Sequence, residues 1–335
     1  CSATGAQGAA RIVADGANGA IIAWLDSRSG TLDLYAQRIN SQGQPQWQVN
    51  GVLVAANTAS GAYWFPTLVS DGAGGAIVQY LSSITEIRAR AIDANGFLQW
   101  GQPGVLSTTS GTKKLGNPVS DGMGGAYLTW VDGSDIFAGR VTAVGGAPWG
   151  AAGVSVCTAP NDQYWPTCIP SDSTGVEVIW EDRRDEPTGG SNEYGDIYAQ
   201  RLSPNGSLSW QPNGVVVAKQ SYGQQFPLAI ADGSGGLVAT WQDYRDGLGW
   251  WVYMTRIQST GIHVTGISAP ASTPLRKPTL RQNAPNPFNP RTTIHFTLPS
   301  GTPATISLHS VDGRRIRLLW RGRGTAGLQR VEWDG

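Results

Sequence analysis

Five stretches of the chain open on the same turn. They read "ADGANGA" at Asp15, "SDGAGGA" at Asp71, "SDGMGGA" at Asp121, "SDSTGVE" at Asp172 and "ADGSGGL" at Asp232, at intervals of 56, 50, 51 and 60 residues. An aromatic follows eight or nine residues after each: Trp24, Tyr80, Trp130, Trp180, Trp241. In four copies an acidic-basic or acidic-polar loop comes next: "LDSR", "VDGS", "EDRR" and "QDYR". A third run then ends in arginine, at Arg38, Arg90, Arg140, Arg201 and Arg256. The first four copies close on a tryptophan with a glycine four residues on: Trp47/Gly51, Trp100/Gly104, Trp149/Gly153, Trp210/Gly214. A period of this length restricts the chain to a repeat architecture, because one unit cannot bury its own faces and must stack on its neighbours.

Within a unit, short runs of apolar and β-branched residues alternate with Gly, Asp and Asn turns. "FPTLVSD", "GAIVQY", "IRARAID" and "GVLST" read as four successive strands. Four strands in about fifty residues is the signature of a β-propeller blade. The expected fold is all-β: a five-bladed β-propeller over residues 1–266, a Pro/Ser/Thr-rich linker over 267–280, and a partial Ig-like β-sandwich over 281–335. A larger ring with further blades fits the same pattern. "CSATG" at the N-terminus aligns with "CTAPN" at Cys157, just after a fourth strand.

The repeat wording "DGxGGxxxxWxDxR…DIYAQR…G…W…NGV" resembles repeats of secreted bacterial proteins without an assigned activity. The stretch "NAPNPFNPRTTIHFTLP", with "SLHSVDGRRIRLL" and "GLQRVEWDG", is similar to the hook-capping-type Ig-like fold and to sorting modules of type IX secretion. These resemblances imply export to the extracellular space or the outer cell surface. That family pattern continues past "WDG", so the module reads as incomplete, with an open strand edge that another chain or segment would complete. A disordered or trimmed end accounts for the stop otherwise; strand-mediated self-association is the partnership that an open edge would allow.

The chain carries 24 basic and 24 acidic residues, so its formal net charge is zero. That excludes a nucleic-acid binder, which needs a basic face. No apolar run reaches the length of a membrane-spanning helix. Three cysteines, Cys1, Cys157 and Cys168, are no disulfide framework. Cys157 and Cys168 suit a disulfide-closed loop and a pair of free thiols equally well. Cys1 suits a lipidated mature terminus and the start of a fragment equally well.

In a propeller, the loops between second and third strands share a face with the loops that lead into each blade. Function concentrates at such loop tips. Here that face receives Asp26/Arg28, Asp132, Asp182/Arg183/Arg184 and Asp243/Arg245, with Tyr63/Trp64, Tyr164/Trp165 and Tyr222/Phe226. Aspartates around a channel mouth suggest glycoside hydrolysis. If the protein is an enzyme, Asp26, Asp182 and Asp243 are its candidates. A structural reading competes: a catalytic group is needed once, whereas a capping or pairing group recurs in every blade, and the absence of catalytic residues is the preferred expectation. For ligand binding the candidates are Tyr63, Trp64, Tyr164, Trp165, Arg183, Arg184 and Trp250. Of two neighbours on a strand only one points inward, which leaves one ring of each pair outside.

The fourth copy alone has Glu181, Asp185, Glu186 and the insertion "PTGGSNEYG". Asp185, Glu186 and Glu193 form the weak metal candidate, with calcium as the cation such carboxylates take; otherwise no cofactor is implied. The expected role is non-catalytic recognition of a polysaccharide or a surface protein. A polysaccharide hydrolase or lyase, and a subunit of a surface assembly, are the alternatives.

Overall fold

The computed structural model describes residues 1–59, 65–101, 104–107, 111–171, 175–186, 195–263, 279–280, 283, 291–298, 303–310, 314–323 and 327–334. All regular structure among them is β. Contacts divide the chain into two units, Cys1–Ile267 and Ser268–Gly335.

The first unit is a run of antiparallel sheets, each made by consecutive strands. Sheet 1 holds β1 (Gln7–Ala14), β2 (Ala20–Asp26), β3 (Asp33–Ile39) and β4 (Val52–Ala55). Sheet 2 holds β5 (Thr67–Ser70), β6 (Ala76–Ser83), β7 (Glu86–Ile92) and β8 (Gly104–Ser107). In sheet 3 the first strand is broken into β9 (Lys113–Leu115) and β10 (Val119–Ser120); both pair with β11 (Ala126–Asp132), followed by β12 (Asp135–Val141) and β13 (Val154–Cys157). The break falls at Gly116-Asn117-Pro118, where proline lacks a backbone donor. Sheet 4 holds β14 (Gln163–Ser171), β15 (Gly175–Asp182), β16 (Asp196–Leu202) and β17 (Val215–Ala218). Sheet 5 holds β18 (Gln224–Ala231), β19 (Leu237–Asp243) and β20 (Trp251–Ile257).

The sheets stack face to face, and there is one apolar cluster per interface rather than one core. Ile21, Ala23 and Ala36 of sheet 1 meet Ala76, Val78 and Tyr80 of sheet 2. Ile77, Ile87 and Ala89 of sheet 2 meet Leu128 and Trp130 of sheet 3. The pattern continues between sheets 3 and 4 and between sheets 4 and 5. Both faces of an inner sheet are therefore covered, which is why β15 is buried at every residue. Such strands lose the clean alternation of a half-exposed sheet: in β15 apolar residues run together on both faces, with Glu177, Glu181 and Asp182 buried among them. First strands lie side by side, β1 with β5, β5 with β10, β10 with β14 and β14 with β18. Sheets stacked this way, first strands innermost, are arranged as the blades of a β-propeller.

The repeated residues hold the blades in three ways. In the Asp-Gly turn, Asp15 Oδ1 accepts from the backbone N–H of Ala17 and of Gly19, each at 2.7 Å, and its Oδ2 takes Arg38 Nε at 2.9 Å. Asp121 with Arg140 and Asp232 with Arg256 repeat the ion pair. The closing tryptophans reach the next sheet: Trp47, Trp100, Trp149 and Trp210 donate Nε1–H to the carbonyls of Ala94, Ala143, Pro204 and Ser259. The glycine after each closing tryptophan has a steric cause in three copies. At Gly214 the backbone is left-handed (φ 86°), and a Cβ would lie 2.5 Å from the Trp180 ring. Cys157 and Cys168 are buried free thiols, and burial pushes Cys157 up to about 12.

In the second unit, β21 (Thr279–Leu280), β22 (Thr292–Leu298) and β25 (Gly327–Trp333) form one small sheet. A hairpin of β23 (Pro303–His309) and β24 (Arg315–Arg323) forms another. Phe296 of the first and Trp320 of the second pack with ring centroids 5.3 Å apart.

Candidate functional site

Each blade except the second carries a carboxylate at the end of its second strand, and the structure fixes what these do. Asp26 is fully buried. Its Oδ2 accepts Arg28 Nη2 at 2.5 Å and Trp24 Nε1 at 2.9 Å. The Arg28 hydrogen bonds, with Trp24, outweigh burial and hold its carboxyl well below the usual range. Asp182 takes Trp180 Nε1 and Arg184 Nη2, both at 2.7 Å. Asp243 takes Trp241 Nε1 at 2.8 Å and Arg245 Nη2 at 2.5 Å. In each lock the guanidinium also lies over a third-strand tyrosine: Arg28 over Tyr35, Arg184 over Tyr198 and Arg245 over Tyr253, at 3.8, 3.7 and 3.9 Å. Sheet 3 substitutes a lysine: Asp132 pairs with the buried Lys113 at 2.6 Å. Asp26, Asp182 and Asp243 thus sit in separate sheets, buried and engaged, and do not converge on one space.

The locking arginine is always two residues past the aspartate. That separates two neighbours the sequence groups together. Arg184 belongs to the lock, while Arg183 is released to a cavity of about 460 Å³ between sheets 3, 4 and 5. Arg183, Lys114, Tyr164, Trp165, Glu181 and Phe226 are among its walls.

The aromatics get there through a β-bulge. Pairing of β14 with β15 slips between Tyr164 and Thr167, and β18 with β19 between Gln225 and Leu228. Trp165 and Phe226 occupy the slip with left-handed φ of 54° and 53°, each followed by proline. The bulge turns the side chain out of the ladder, and an innermost strand has no further partner to miss the proline N–H. Both rings stay about half exposed, with centroids 6.1 Å apart. Phe65, before Pro66, lies under the Arg11 guanidinium at 5.1 Å. Phe65, Trp165 and Phe226 also border a larger central cavity of about 640 Å³, which first strands of all five sheets line.

The polar wall is built on Tyr164. Its hydroxyl donates to Asp162 Oδ2 at 2.6 Å, and Lys114 and Arg183 lie 4.5 and 4.6 Å from its ring centroid. Burial and the Asp162 carboxylate push Tyr164 up to about 12, so it remains a phenol. Glu181 is buried; its Oε1 accepts Arg183 Nη2 at 2.9 Å. Burial still raises its carboxyl above the ordinary glutamate range. Two cations, Lys114 and Arg183, and one carboxylate, Glu181, line the cavity, with Asp162 held behind them on the Tyr164 hydroxyl; the wall favours a polar ligand that brings its own charge, and the open rings favour a flat apolar face.

The other predicted residues lie elsewhere. Trp250 packs at a tilt on Tyr244 of the same β19–β20 loop at 5.2 Å, and Tyr244 meets Tyr222 of the β17–β18 loop edge-on at 5.8 Å. Asp185 pairs with Lys219 at 2.5 Å, and Glu186 lies 3.9 Å from Arg183. Among the described residues no three His, Cys, Asp or Glu side chains gather as a metal site needs. Tyr63, Trp64 and Glu193 lie outside the described residues. Sequence reasoning passed over Phe65 and Lys114. The signal for Phe65 was an aromatic-Pro dipeptide shared by three innermost strands; Lys114 had none.

No family model matches the chain, and no curated protein matches it. Among solved structures it is similar to a Hadza microbial sialidase, at 10% identity and a TM-score of 0.45, over 77% of this chain and 57% of that one. It is similar to a polysaccharide lyase at 9% identity and a TM-score of 0.48, over 96% of this chain and 88% of that one. An α-L-arabinanase of Penicillium chrysogenum gives 11% identity and a TM-score of 0.38, over 83% of this chain and 85% of that one. The chain thus spans little more than half of the sialidase. None of these likenesses bears on what the chain does.

Proposed function

We propose that this chain is a carbohydrate-binding protein that holds an acidic sugar chain against the loop end of its propeller, in the cavity between sheets 3, 4 and 5. The observation that carries this reading is the pairing of two outward rings, Trp165 and Phe226, with Lys114 and Arg183 on the adjoining wall. Rings stack on the apolar face of a pyranose while cations take a uronate or sulfate. Affinity electrophoresis or calorimetry against neutral and acidic polysaccharides tests it. Trp165→Ala should weaken binding by about tenfold or more, some 1.4 kcal/mol. Lys114→Gln should erase the preference for acidic chains. Equal affinity for neutral and acidic polysaccharides in the unsubstituted protein sinks the reading.

A hydrolase or lyase is the second reading, favoured by Glu181. A buried carboxyl with a raised pKa beside a ligand cavity is the form a general acid takes. Product release from a bound polysaccharide, abolished by Glu181→Gln with binding retained, would establish it.

No helix among the described residues is long and apolar enough to cross a membrane. The surface or extracellular location rests on the resemblances of residues 281–335 and of the repeat. The two small sheets around Phe296 and Trp320 support an Ig-like module there.

A further inference from the structure

The innermost strands repeat one device, and only sheet 1 puts a charge on it. Pairing slips between Gly8 and Arg11 in β1, as it does between Tyr164 and Thr167 in β14 and between Gln225 and Leu228 in β18. Ala9 sits in the slip with a left-handed φ of 55°, the place that Trp165 and Phe226 take in their strands. Arg11 therefore stands where β14 has Thr167 and β18 has Leu228, and where β5 has Thr67 after Phe65-Pro66. All four of these residues border the central cavity of about 640 Å³. A guanidinium thus replaces a hydroxyl or an apolar side chain at that one position.

Arg11 is the one charged side chain among the described walls of that cavity. Its Nη1 donates to the carbonyl of its own neighbour, Ala10, at 3.2 Å, and its guanidinium lies 5.1 Å from the Phe65 ring centroid. Among the described residues no carboxylate comes within ion-pair distance of it, whereas Arg28, Arg38, Arg184 and Arg245 each hold an aspartate. A guanidinium stacked on a ring still offers the edge of its fork to an anion. The central cavity and the cavity between sheets 3, 4 and 5 share Leu115, Trp165, Pro166 and Phe226. The aromatic pair is a common wall, with Lys114 and Arg183 on one side and Arg11 on the other. At about 460 and 640 Å³ each cavity has the size of a small-molecule site in its own right. Cations on both sides of a pair of rings suit one ligand that carries anions at intervals.

We propose that Arg11 and the central cavity form a second anion subsite, which takes the carboxylate or sulfate of a later unit of the sugar chain whose first acidic unit sits against Lys114 and Arg183. This rests on the reading of the chain as a binder of acidic polysaccharide, and it names what that site selects: several units, with an anion on more than one. The second contact is made only by a chain already seated on Lys114 and Arg183. A single acidic sugar meets one cluster of cations and gains nothing from the other.

Calorimetry with oligogalacturonates of increasing length, beside sulfated galactose oligomers of the same lengths, tests it. Affinity should rise by about tenfold or more once an oligomer spans both subsites, because a second charge-assisted contact forms. Arg11→Gln should lose that increment, and Arg11→Lys, which keeps a point charge without the fork, should retain part of it. Arg11 is exposed, so both variants should fold, and thermal melts check this. A gain with the uronate series alone identifies a carboxylate as the occupant, and a gain with the sulfated series alone a sulfate. Affinity that does not rise with length, or that rises as steeply in Arg11→Gln, overturns the second subsite. The first site then still stands if Trp165→Ala weakens binding of the same oligomers. No binding at any length in either series overturns both.

Discussion

Trp180 Nε1 donates to Asp182 Oδ2 at 2.7 Å inside a fully buried pocket, with Arg184 closing the other side of the carboxylate. The same triplet recurs in sheets 1 and 5. It makes Asp182 a structural anion, and it separates stability from ligand binding.

Asp182→Asn should therefore lower unfolding stability by about 2–4 kcal/mol, because Arg184 loses its counter-ion where water is scarce. Polysaccharide affinity at the cavity should stay unchanged. Chemical denaturation and a binding titration on the same samples check both halves.

Sheet 3 supplies the contrast. Asp132 turns to Lys113, and among the described residues Trp130 Nε1 is left without a hydrogen-bond partner. Trp180→Phe should cost about 1–3 kcal/mol more than Trp130→Phe, since only the former breaks a charge-assisted hydrogen bond. Equal losses in urea would mean that the hydrogen bond contributes nothing net.

Gly214→Ala should destabilise by about 2–4 kcal/mol, from the left-handed backbone and from collision with Trp180. Gly150, at φ 85° with open space where a Cβ would go, isolates the backbone part. Gly150→Ala should cost only about 1–2 kcal/mol. The two midpoints in one denaturant series give the steric share.

Asp196 provides a pH signature. Burial lifts its carboxyl to about 7, above its unfolded value. The folded state then holds a proton that the unfolded chain releases. The resulting stability is fully present below about pH 4 and is lost as pH rises through about 7. Asp196→Asn should flatten that window and make the protein more stable than the unsubstituted chain at pH 8. Melting temperatures across the range read this directly; an unchanged profile excludes Asp196 as the source.

The blade pattern was legible because its causes are local and repeated. Asp15, Trp24, Trp47 and Gly51 announce themselves at fixed spacing, and each meets a partner within its own blade or the next. The cavity was only half legible. Trp165 and Tyr164 stood out as aromatics, and Arg183 as a charge. Which of Arg183 and Arg184 faces the cavity depends on a lock whose tryptophan lies four residues before Arg184. Lys114 reaches Tyr164 from another sheet, a contact no spacing within one repeat encodes. Glu181 acquires its raised pKa only from the packing around it.

Four apolar clusters, each shared by two adjacent sheets, also bear on how the molecule comes apart. Its cooperativity is a matter of nearest neighbours, as in a one-dimensional chain of coupled units. A defect at one interface is felt by two blades and hardly beyond. Among the described sheets, 1 and 5 each share a cluster with one other and the middle three with two, so amide exchange should fall from sheets 1 and 5 toward sheet 3.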